Sequence, residues 1–117
     1  MQSFGCYIRS RREALQARGG SLSLRKLASE IGVEPAYLSK VERDLTAPPS
    51  EAKILSLAKA LDEDPDLLLA MAGKVSTDLQ QIIKARPKLF GDLIRQLKEQ
   101  PDHAILSVVR QVTDGDW

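Results

Sequence analysis

Lys40 and Arg43 lie three residues apart, with Ala36 and Ser39 each one helical turn upstream, so on a helix all four side chains share one side. Two cations flanked by small groups suit an anionic polymer, because ammonium and guanidinium groups neutralise phosphates and donate to base edges. Arg25 and Lys26 carry the same chemistry elsewhere. They fall in the first turn of another expected helix, whose partial positive charge they oppose, and free N–H groups there make a natural phosphate site. Catalysis finds no comparable footing. The single histidine, His103, has no assignable acid and nucleophile around it, and there is no phosphate-cradling glycine loop. No enzyme activity is therefore expected. One cysteine and one histidine make a metal site improbable, and no cofactor is expected. Cys6 reads as a small helix residue, His103 as surface, and Arg9, Glu13 and Arg18 as solvated charge.

These side chains need helices to position them, and helical spacing dominates the chain. A first helix is expected from about Ser3 to Arg18, ended by Gly19-Gly20. Ser23 caps a second, with Leu22 and Leu27 spaced as a hydrophobic staple and Gly32 where a left-handed terminal residue is wanted. Pro35 opens a third at the position where a missing N–H costs nothing. Its inward residues are Leu38, Val41 and Glu42. Ser50 caps a fourth helix carrying Ile54, Leu57, Ala58 and Leu61. Asp64-Pro65-Asp66 opens a fifth through Leu67, Leu68 and Met71, ended by Gly73. Three amphipathic segments follow: one with a Thr77–Gln80 capping box, one opened by Pro87, and one opened by Pro101 carrying Ile105, Val108, Val109 and Val112. Thr113 to Trp117 reads as a frayed tail.

Composition agrees with an all-α chain. Of 117 residues 43% are hydrophobic but only 4% aromatic, so aliphatic side chains must build the core. Residues 1–61 hold ten Lys/Arg against six acids, a net +4, whereas residues 62–117 hold seven against ten, a net −3. A basic half joined to an acidic one suits a nucleic-acid reader with an auxiliary module, although a solvated surface shows the same imbalance. No apolar run approaches the ~18–20 residues of a membrane span, and the N-terminus lacks a signal-peptide layout. A cytoplasmic protein without membrane association is expected, and a lone cysteine suits that compartment.

The stretch LSLRKLASEIGV, then YLSKVER, a proline-bounded loop, and SEAKILSLAKALDEDPDLLL together resemble the Cro and lambda-repressor-like helix-turn-helix family, often called the XRE family. The resemblance covers about Phe4 to Gly73. It implies a five-helix lambda-repressor-like DNA-binding domain over residues 1–73, followed by a short three-helix module over residues 74–117. It further implies that Pro35–Arg43 is the recognition helix and double-stranded DNA the partner. Pro35, Ala36 and Lys40 match positions that usually reach base edges; Ser23, Arg25, Lys26, Tyr37, Ser39 and Arg43 match positions near phosphates. Tyr37 serves equally well as packing for the second helix. Arg12 and Glu42 match a structural ion pair, and Glu42 on the apolar side of its helix needs a cation on its own account. Departures are equally plain. Leu24 stands where glutamine is frequent, and Pro35 and Ala36 offer bases only apolar contact, for example with a thymine methyl. Glu34, where Ser or Asn is usual, either accepts from a cytosine amino group or repels the backbone. Asp44 replaces a glycine that would take a left-handed conformation more easily.

The function that the resemblance implies is a sequence-specific transcriptional regulator, expected to be a repressor acting as a homodimer on an inverted-repeat operator. The C-terminal stripes, including Leu89, Phe90, Leu93, Ile94 and Leu97, are too wide to stay in water singly. They fold as a bundle, pack on the first domain, or join a second subunit, the last being preferred. The alternative is an antitoxin-type interaction protein that binds a protein partner through those helices and autoregulates by DNA binding.

Overall fold

The structure, a computed structural model, describes residues 2–107. Its helices are α1 (Phe4–Ala17), α2 (Leu24–Ile31), α3 (Pro35–Glu42), α4 (Glu51–Ala60), α5 (Pro65–Met71), α6 (Thr77–Ala85) and α7 (Pro87–Lys98). Residues 102–107 are helical as well, and the described residues include no strand. The all-α expectation holds, with five helices and then the C-terminal ones.

Local chemistry sets the boundaries. Ser3, Ser23 and Ser50 cap α1, α2 and α4, each side chain accepting from the backbone N–H three residues on. Pro35, Pro65 and Pro87 open α3, α5 and α7, where a fixed φ is already helical. Gly32 closes α2 at φ 74°, a left-handed conformation that costs a glycine nothing.

The chain forms two compact units, the first Met1–Ser76 and the second starting at Thr77. In the first, Phe4 and Ile8 of α1, Leu27, Ala28 and Ile31 of α2, Leu38 and Val41 of α3, and Ile54, Leu57 and Leu61 around α4 make one buried cluster. Leu22 and Leu27, spaced as a staple, are both buried in this cluster. The fifth helix stands where it was expected. Leu68 and Leu69 are its buried residues, while Leu67 is exposed and Met71 only half-buried. Its main neighbour is α4, and a helix of seven residues turns a wedge of two adjacent leucines inward rather than a stripe.

In the second unit α6 packs against α7. The helix begins at Thr77 itself, one residue before a Thr77 cap would place it, an offset within the ordinary play of helix ends. No residue of α6 or α7 is fully buried. Leu79, Ile82, Leu89, Leu93 and Ile94 are exposed, and Phe90 and Leu97 half-buried. Val108, Val109 and Val112 of the last stripe, and the tail from Thr113 to Trp117, lie outside the described residues. No described helix is long and apolar enough to cross a membrane.

Candidate nucleic-acid interface

Two eight-residue helices and the turn between them carry nearly every candidate residue. At the start of α2 the Ser23 hydroxyl accepts from the Lys26 N–H at 3.1 Å. No acidic residue occupies that first turn. Arg25 and Lys26 are both exposed there, and neither forms an ion pair with another described residue. Leu24, in place of the expected glutamine, is half-buried against the core. It turns a would-be polar contact into packing.

The turn is tight because Ala28 is wholly buried and its carbonyl accepts from the Val33 N–H at 2.9 Å. Across it, α3 shows two sides. Leu38, Val41 and Glu42 are buried. Ala36, Lys40 and Arg43 are exposed and Ser39 half-exposed on the other. The Arg43 Nε donates to the Ser39 carbonyl at 3.3 Å, which lays its guanidinium along the end of the helix. Lys40 makes no ion pair among the described residues. Glu34 is the N-cap of α3 without a capping bond from its side chain, and is exposed. Pro35 is half-buried, and Tyr37 packs partly against the core. An α-helix with its side chains is about 10–12 Å across, and a major groove about 12 Å wide admits one.

Three polar contacts hold the helix pair to the body. Arg12 and Glu42 meet in a two-point ion pair, Nε to Oε2 at 2.8 Å and Nη2 to Oε1 at 3.0 Å. Both residues are buried, at 9% and 6% exposed. The hydrogen bonds to Glu42 raise the Arg12 pKa above its ordinary value, against the opposing effect of burial. Beyond α3, Asp44 takes a left-handed φ of 57°. Its carboxylate accepts from the Ser3 hydroxyl at 2.6 Å and from the Gly5 N–H at 3.1 Å, tying the end of α3 to the start of α1. The third is at the turn between the two helices. Lys53 of α4 donates from Nζ to the carbonyls of Ile31 at 2.8 Å and Gly32 at 3.3 Å.

Reading from sequence missed Asp44's role and Lys53 altogether. For Asp44 no local signal exists, since its donors lie 39 and 41 residues away. Lys53 did carry one: a cation in the first turn of α4 opposes its own helix dipole, so it needs a partner elsewhere. A separate network was missed too. The Tyr7 hydroxyl donates to Glu63 at 2.6 Å, and Arg11 lies 3.2 Å from the same carboxylate and donates to the Leu61 carbonyl. That joins α1 to the turn between α4 and α5. The Tyr7 bond and then the Asp64 N–H hold the Glu63 carboxyl below its usual value, and the same bond raises the Tyr7 phenol.

Two short helices crossing at a glycine turn, the second with its outer side free and basic, define a helix-turn-helix unit, a motif that docks its second helix in DNA. The helix-turn-helix domain family model matches residues 3–71, and the chain belongs to that family. Two curated relatives, described as uncharacterized HTH-type transcriptional regulators from two strains of Mycobacterium tuberculosis, are each 43% identical over 70 residues. The match spans 59% of this chain but only 45% of each relative. No solved structure matches.

Proposed function

We propose that the protein is a DNA-binding transcriptional regulator, a repressor that acts as a homodimer on an inverted-repeat operator. One observation carries the reading: the free side of α3 bears Lys40 and Arg43 beside Ala36 and Ser39, while the opposite side is anchored by the buried Arg12–Glu42 pair. Residues 1–73 are the DNA-binding domain and residues 74–117 the association module. On DNA, Lys40 donates to a base edge in the major groove, and Ala36 and Pro35 add apolar contact. Ser23, Arg25, Lys26, Ser39 and Arg43 lie along the phosphates, and Tyr37 supports α3 from its half-buried place. Glu34 faces the groove as an acceptor for a cytosine amino group. Exposed Leu89, Leu93 and Ile94 of α7 supply the apolar surface for a second copy.

The test is selection of bound duplexes from a random pool, followed by gel-shift titration of Lys40→Ala on the selected site. Loss of about 1–3 kcal/mol of specific affinity is expected. Unchanged affinity would remove α3 from the groove. The same exposed α7 residues favour a second reading, an antitoxin-type protein that binds a protein partner there. Its mark is a heteromeric mass on purification in place of a homodimer.

A further inference from the structure

Lys53 belongs to α4 and stands outside the helix-turn-helix pair, yet its ammonium is bonded to the carbonyls of Ile31 and Gly32. Those carbonyls close α2 and begin the turn. The last carbonyls of a helix have no partner within it and carry its partial negative charge, so a cation donating to them is doubly favoured. The fit is close: a Cβ at Gly32 would lie 3.2 Å from Nζ. Besides the packing of Ala28, Ile31 and Val33, the other hydrogen bonds of this turn among the described residues are backbone ones, Gly32 N–H to Ser29 at 3.2 Å and Val33 N–H to Ala28 at 2.9 Å. Three residues beyond Gly32, α3 begins at Pro35. The angle between α2 and α3 is therefore set at a point that α4 grips through one side chain.

We propose that Lys53 is a positioning residue of the DNA-reading unit: by latching α4 to the carboxyl end of α2, it fixes the angle at which α3 is presented. The inference rests on the DNA-binding reading above for its effect on affinity, though the latch is a property of the protein alone. Lys53 acts through α2 and the turn, and Arg12–Glu42 and Asp44 hold the far half of α3. Loss of the latch leaves α3 packed through Leu38 and Val41 but free to swing at its amino end, the end that carries Pro35 and Ala36.

The experiment uses the full chain and the variants Lys53→Met and Lys53→Arg. Methionine keeps the aliphatic stem and a similar helix propensity while removing the donor; arginine keeps a charged donor. In free protein, hydrogen exchange at Val33 and Leu38, whose N–H groups bond to Ala28 and Glu34, should quicken about tenfold in Lys53→Met and return towards wild type in Lys53→Arg. Exchange in α1 should not change. On DNA, Lys53→Met should bind about tenfold more weakly with the slope of log affinity against log salt unchanged. A lysine that touched phosphate directly would instead lower that slope by about one unit. Unaltered exchange at Val33 and Leu38, or uniform quickening across α1 and α3, overturns the latch. A reduced salt slope reassigns Lys53 to the phosphates. If wild-type protein selects no DNA, the regulator reading fails while the exchange measurement still decides the latch.

Discussion

Replacing Glu42 by alanine removes both acceptors of the Arg12 guanidinium, 2.8 and 3.0 Å away, where Arg12 is only 9% exposed. Water cannot readily take their place. Breaking one side of a buried pair leaves an unpartnered charge and costs roughly 3–5 kcal/mol. A unit the size of Met1–Ser76 has only about 4–11 kcal/mol of stability in all. Glu42→Ala should therefore lower the melting temperature by at least about 12 °C, taking roughly 4 °C per kcal/mol as the lower bound for a domain of this size. Arg12→Met combined with Glu42→Leu should behave differently, lying between neutral and about 4 kcal/mol more stable, because it deletes both desolvated charges. The raised Arg12 pKa gives stability fully present below the ordinary guanidinium value and lost only as pH rises through the still higher folded value. The Arg12 side of the pair should thus not titrate near neutral pH. Thermal denaturation followed by circular dichroism decides the matter. A Glu42→Ala melt within about 2 °C of wild type would refute the reasoning.

Gly5→Ala should melt lower, by up to about 8 °C at roughly 4 °C per kcal/mol. An added Cβ would lie 2.6 Å from Asp44 Oδ1 and 2.9 Å from the Glu42 carbonyl, with the Val41 carbonyl closer still. Two of these are backbone atoms that cannot swing aside, so overpacking of roughly 1–3 kcal/mol outweighs alanine's helix preference of about 1 kcal/mol; an unchanged or raised melt would show that the helices can part freely. Tyr7→Phe should move the Glu63 carboxyl up towards its ordinary 4.5, as read by NMR titration. Because that pKa is lowered in the fold, its stabilisation is present above 4.5 and lost as pH falls through the folded value, so the variant should lose less stability in acid; an unmoved titration would remove Tyr7 as the cause. A chain truncated after Ser76 should fold, sediment as a monomer and bind the selected operator more weakly, with a shallower salt dependence than the full chain. Sedimentation as a dimer would place the interface within residues 1–76.

Helix boundaries were legible because their signals are local. Ser23, Ser50, Pro35 and Gly32 each act within four residues of themselves, and each stands at the end it was expected to mark. The need of Glu42 for a cation was legible for a different reason, since a carboxylate on the apolar side of a helix demands one, while Arg12 as that cation came from the family resemblance. Long-range polar contacts carried no such demand. Asp44 looked like a poor substitute for glycine until Ser3 and Gly5 were seen to donate to it. Glu63, among neighbouring acids, gave no hint of Tyr7. The choice of Leu69 over Leu67 on α5 depends on how one short helix leans on α4, which spacing alone does not encode.

The Asp44 contact bears on how such chains diverge. A carboxylate at this position keeps both its donors only while Ser3 supplies a hydroxyl beside the Gly5 N–H, and room only while residue 5 has no side chain. The three positions therefore form one unit of inheritance spread over some forty residues of sequence. A relative with glycine at position 44 no longer needs a donor at 3 for that residue, but position 5 should stay glycine in those chains too, because the Val41 and Glu42 carbonyls crowd a Cβ there whatever stands at 44. Exchange of position 44 alone between two such relatives should be tolerated poorly in one direction and easily in the other, since glycine fits any neighbour and aspartate only a prepared one.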